Sequence, residues 1–152
     1  MLTTTIATSI KYGNYKQTCL ERVEKVKVLI RHYMSAFKQE FDFDKNVVVH
    51  FRPIKGSTLG RAFDSKNLIE IDPRYSYKNI IETLSHELVH SEQYKQGRLK
   101  HKPGNVSLWN NRLVSRGTTY KQYLALPWEV EARKRAAEFL AKHFTHAYLD
   151  IR

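Results

Sequence analysis

Two histidines four residues apart, His86 and His90, with Glu87 directly after the first, form an HExxH pattern inside a stretch of helical periodicity. On an α-helix, positions i and i+4 differ by only about 40° around the axis and stand one turn apart, so both imidazoles can reach one ion. Glu87 projects in a neighbouring direction, where its carboxylate can reach a water on that ion rather than the ion itself. A fold that uses this pattern must bring a third ligand to the same helix face and leave a fourth position open for water.

The helix carrying the pattern is expected over residues 77–96, capped by Ser76 and stopped by Gly97. Tyr77, Ile81, Leu84 and Leu88 fall on one side of it and Thr83, His86 and His90 on the other, which predicts histidines outside the core-facing stripe. The remaining periodicities supply an α+β fold. Residues 15–41 place Cys19, Val23, Val26, Ile30, Tyr33, Phe37 and Phe41 at three-and-four spacing, which predicts a long packing helix with Cys19 as a buried thiol. Residues 47–52, 59–63 and 68–71 are short, β-branched or aromatic, and bordered by turn residues, which predicts three strands of one small sheet. Residues 106–115 predict a hairpin turning at Asn110 and Asn111, which tolerate the positive φ of a type I′ turn, with Trp109 and Arg112 flanking the tip. Pro127 suits the first turn of a last helix over 127–148. With 152 residues and no internal repeat or long linker, one domain is expected over 1–152.

Helical geometry sorts the candidates for a third ligand, which are His101, Glu129, Glu131, His143 and His146. On the last helix Ala132, Ala136, Ala137, Phe139, Leu140, Phe144 and Ala147 span a wide apolar arc. Glu129 projects near its middle, whereas Glu131, about 200° away, falls among Lys134, Glu138 and Lys142. A carboxylate aimed at an apolar interior is costly unless it is paired or metal-bound, so Glu129 is the expected ligand and Glu131 a solvated surface residue. His143 and His146 lie about 21 Å and 26 Å further along the same helix, too far to share its ion, and are expected at a solvent-exposed helix end. His101 is expected to be a surface histidine.

The formal charge is +11 and the isoelectric point about 9.8, a field that favours phosphate backbones, anionic surfaces or acidic proteins. Much of it lies between Lys95 and Lys121, where Arg98, Lys100, Lys102, Arg112 and Arg116 meet no acidic residue. This basic segment is expected at the rim of the cleft, either facing an acidic protein substrate or nucleic acid or forming a solvated basic loop. No zinc finger, RNP-type strand or basic region followed by heptads is present, so no recognised nucleic-acid module accompanies the charge. The lone Cys19 can form no intramolecular disulfide. The first residues lack a basic and then apolar leader, and no stretch approaches the roughly 18 apolar residues of a membrane span. A cytoplasmic protein without membrane partners is expected.

The segments SHELVHSEQ at 85–93 and LPWEVEARKRAAEFL at 126–140 resemble the HExxH-plus-glutamate zinc metallopeptidases, the gluzincins, and especially their compact phage and bacterial forms. In that class a glutamate three residues before a small residue on the downstream helix is commonly the third ligand, a register that Glu129 and Ala132 match. The resemblance covers residues 47–140 and implies a zincin-like fold whose sheet edge lies beside the bound peptide. The chain is also similar to the ImmA/IrrE group and to the DNA-associated SprT-like proteases. Val89 stands where ImmA/IrrE members carry glycine, and Gln96 stands where metzincins place a third histidine.

The expected function is zinc-dependent endopeptidase, a hydrolase of protein or peptide substrates, with Zn²⁺ on His86, His90 and Glu129 and with Glu87 as general base. Tyr120, Tyr123, His101 and Arg112 are the candidates for stabilising the developing oxyanion. The alternative is a basic nucleic-acid-binding protein with a structural or vestigial zinc site, or a DNA-associated protease.

Overall fold

The computed structural model describes residues 16–64 and 67–144, with side chains from Leu20 onward. Within them the chain is α+β, with four helices and two sheets of three strands each. Helix α1, Lys16–Glu40, buries Val23, Val26, Leu29, Ile30, Tyr33 and Phe37, the stripe its spacing predicts with Leu29 added. The side chain of Cys19 lies outside the described residues.

Strands β1 (Val48–Phe51), β2 (Gly60–Phe63) and β3 (Leu68–Ile71) form the first sheet in the order β1-β3-β2. β3 is central, parallel to β1 and antiparallel to β2, with Gly60 opposite Ile71 and Phe63 opposite Leu68. Alternation sends Val49, Phe51, Ile69 and Ile71 into the helix-facing core. β2 is an edge strand.

Helix α2, Tyr77–Lys95, begins where Ser76 Oγ accepts the Asn79 amide at 3.2 Å and is followed by Gln96 as cap and Gly97 at a φ of 69°. Ile80, Ile81, Leu84, Leu88 and Val89 join it to the core. Gly60 lets β2 lie close on α2, since a Cβ there would stand 2.6 Å from Thr83 Cγ2 and 2.9 Å from Ile71 Cδ1.

After α2, strand β4 (Leu99–His101) pairs with β5 (Val106–Trp109), which pairs with β6 (Arg112–Ser115). The predicted hairpin is present, with Asn110 at φ 48° and Asn111 at φ 66° and Trp109 opposite Arg112. β4 was not foreseen, because a three-residue strand with one buried side chain, Leu99, leaves no periodicity to read. A short helix α3, Tyr120–Leu124, was also missed, although Thr119 and Gln122 form a capping box that announces it.

Helix α4, Pro127–His143, ends sooner than the expected 148, with Phe144 extended as its cap; residues 145–152, His146 among them, lie outside the described set. It buries Trp128, Glu129, Ala132, Ala136 and Phe139, and the small Ala132 and Ala136 let α4 pack closely along α2. Phe139 stacks on Phe37 of α1 with centroids 4.8 Å apart. A second, smaller cluster of Leu99, Leu126 and Trp128, with Tyr94, Trp109 and Val114 against it, seats the second sheet beside the end of α2 and the start of α4. No described helix is long and apolar enough to cross a membrane.

Candidate metal centre

The close packing of α4 on α2 brings Glu129 to the two histidines. Glu129 Oε2 stands 3.0 Å from His86 Nε2, Glu129 Oε1 3.1 Å from His90 Nε2, and the two Nε2 atoms 3.1 Å from each other. The rings meet edge to face, centroids 4.8 Å apart. These residues form a group that could hold a metal ion. Bonds of 2.0–2.1 Å to a tetrahedral ion place neighbouring ligand atoms about 3.3 Å apart, close to the spacing of the two Nε2 atoms, and one oxygen of Glu129 lies within 4.8 Å of both. The donor set, two imidazole nitrogens and one carboxylate, matches that of open catalytic zinc sites.

His90 lies off the core-facing stripe, as expected, yet is only 6% exposed, because α4 packs along α2 and brings Glu129 against it. Burial alone would lower its pKa; the hydrogen bond to Glu129 and the charges of Glu87 and Glu129 outweigh that and raise it to about 9. Glu129 is desolvated, yet its hydrogen bonds to both histidines hold it ionised, well below the usual carboxylate range. No arginine or lysine within the described residues pairs with it.

Glu87 is buried too, and burial pushes its pKa up against the pull of the two histidines and a hydrogen bond from the Ala62 amide. A cavity of about 530 Å³ opens over His86 and Glu87, between Gly60 at the start of β2 and Tyr120, Tyr123 and Arg133 of the opposite wall. A larger one, about 620 Å³ at the end of α1 near Phe41 and Asp42, contains none of these groups.

The oxyanion candidates separate in space. Tyr123 hydrogen-bonds Glu129 and lines the cavity with Glu87, and burial followed by the charge of Glu129 keeps its hydroxyl protonated. Tyr120 stacks on it at the rim, 74% exposed. His101 is exposed, as expected of a surface histidine, and is held by Tyr94 Oη 3.1 Å from its Nε2 and Ser107 Oγ 2.8 Å from its Nδ1. Arg112 is exposed at the hairpin tip.

Two further expectations are corrected. Glu131 is not simply solvated: it accepts from Gln93 Nε2 at 2.6 Å and from Arg98 Nη1 at 3.0 Å. Helical-wheel reasoning put it with the charged residues of its own helix, but α2 and Arg98 reach over it. His143 is half-buried against Glu40, 3.0 Å away, instead of lying at a solvated end. Gln93 was overlooked altogether; its only sequence signal is a polar residue three positions after the second histidine. Compared with known protein families, curated proteins and solved structures, the chain matches none, so the functional reading rests on the site itself.

Proposed function

We propose that this chain is a zinc-dependent endopeptidase with His86, His90 and Glu129 as ligands and Glu87 as general base. The observation that carries the reading is the convergence of two imidazole nitrogens and the two oxygens of one carboxylate, in contacts of 3.0–3.1 Å, beside a buried carboxylate that opens onto a cavity. Zinc held there would lower the pKa of a bound water towards about 7 and polarise the carbonyl oxygen of the scissile bond. Glu87 would take a proton from the water as its oxygen adds to the carbonyl carbon and return it to the amine as the C–N bond breaks, a two-way task suited to a carboxyl whose pKa burial has raised. The Ala62 amide holds the carboxylate in place between transfers. Tyr123, neutral and facing the same cavity, would turn its hydroxyl from Glu129 to the developing oxyanion. The edge of β2 can take an extended peptide as an added strand, which runs it past Glu87.

Glu87→Gln keeps the fold and the metal ligands but removes the base. Hydrolysis of an unstructured protein such as casein is expected to fall by about 10²-fold or more while zinc binding stays as in the parent. Equal cleavage by parent and variant would remove Glu87 from this role.

A second reading, nucleic-acid binding, is favoured by one observation. Lys100, Lys102, Arg112 and Lys121 are all exposed around the second sheet and α3, with no acidic residue in that segment. It requires duplex or single-stranded DNA binding that weakens steeply between about 50 and 200 mM salt.

A further inference from the structure

Gln93 stands three residues after His90 on α2 and is fully buried, and its neighbours leave its carboxamide one orientation. Nε2 donates to the Trp128 carbonyl at 3.1 Å and to Glu131 Oε2 at 2.6 Å. Both partners are acceptors only, so turning the amide over would set oxygen against two oxygens. Oε1 therefore faces His90 Nδ1, 2.8 Å away, and since an amide oxygen only accepts, Nδ1 must carry a proton. The neutral ring then keeps its lone pair on Nε2, the atom that meets His86 and Glu129. Glu131 is held in turn by Arg98, whose Nη1 lies 3.0 Å from each carboxylate oxygen.

We propose that Gln93 is the positioning residue of this centre: it fixes His90 in the one tautomer that can bind a metal through Nε2. It also ties that ring to Trp128 and Glu131, which bracket Glu129 on α4. One residue thus aligns the second histidine with the carboxylate from the other helix. The inference rests on reading His86, His90 and Glu129 as metal ligands. Outer partners of ligating histidines are more often carboxylates or backbone carbonyls. An amide here orients the ring without adding a charge, so the ligand set carries only the charge of Glu129.

The test measures zinc dissociation constants by chelator competition for the parent, Gln93→Met and Glu131→Gln, with solvent exchange of the His90 Nδ1 proton followed by NMR on zinc-loaded, ¹⁵N-histidine-labelled protein. Gln93→Met keeps volume and removes both hydrogen-bonding functions; zinc affinity is expected to fall 10–100-fold, the usual cost of losing such a partner. Glu131→Gln still presents an oxygen to Gln93 and is expected to stay within about threefold of the parent. In the parent the His90 Nδ1 proton should exchange slowly, and in Gln93→Met rapidly, which a merely structural glutamine would not produce. Zinc affinity of Gln93→Met within twofold of the parent, or a freely exchanging His90 Nδ1 proton in the parent, overturns the assignment while the metal centre stands. A parent that binds no zinc overturns both. The parent spectrum decides the matter even if Gln93→Met does not fold.

Discussion

In the metal-free protein a proton occupies the place at His90 that an ion would take. With the folded pKa raised from 6.5 to about 9, the stability due to the His90–Glu129 pair is complete below pH 6.5 and disappears as pH rises through about 9. At the acid end Glu129 has the opposite sign: its pKa is lowered, so its contribution is present above 4.5 and lost as pH falls through the folded value. The two limits place the largest joint contribution of this pair between pH 4.5 and 6.5. Thermal unfolding in a chelator should show stability falling from pH 6.5 to 9, with a loss on the order of 3 kcal/mol for this buried histidine. Zinc displaces the proton, so the same scan with zinc should be flatter over that interval. A metal-free protein that gains stability from pH 6.5 to 9 would contradict the pairing. Tyr123→Phe, at the same scale, removes a donor and little volume; kcat is expected to drop about 10²-fold with zinc content unchanged, measured on the same peptide substrate.

At the scale of elements, the approach of β2 to α2 sets how near the sheet edge comes to Glu87. Gly60 is the residue that permits it, since any Cβ would meet Thr83 one turn before His86. Gly60→Ala is therefore expected to destabilise the fold by about 1–3 kcal/mol, read from denaturant unfolding, and to lower activity by moving Ala62 away from Glu87. Unchanged stability would show that Thr83 gives way freely. The legible elements were those whose local chemistry is self-sufficient. Asn110 and Asn111 announce the hairpin, Ser76 and Gly97 bound the metal helix, and the stripe from Val23 to Phe41 specifies α1. Glu129 could be separated from Glu131 because the apolar arc of its own helix points at α2. What could not be read depends on partners distant in sequence. Gln93 and Glu131 look like surface polar residues until α4 is laid on α2. β4 exists only because β5 offers it a ladder.

Across the whole molecule, α2 and α4 are sewn together at three places. The first seam is the His86, His90 and Glu129 group, the second joins Gln93 to Trp128 and Glu131, and the third runs through Glu92, which accepts from Arg135 of α4 and from the Asp42 amide after α1. An ion in the first seam binds the folded chain alone, so free zinc at 100 times its dissociation constant should add about 2.7 kcal/mol of stability. The basic surface lies around the second sheet and α3, and part of the predicted charge is consumed internally: Lys95 pairs with Asp42, and Arg98 with Glu92 and Glu131. The central claim is that the two helices share one metal ion, and metal content tests it most directly. In protein purified without a histidine tag, close to one zinc per chain is expected for the parent and for Glu87→Gln, and background levels for His86→Ala and Glu129→Ala. Full zinc occupancy in Glu129→Ala would contradict it.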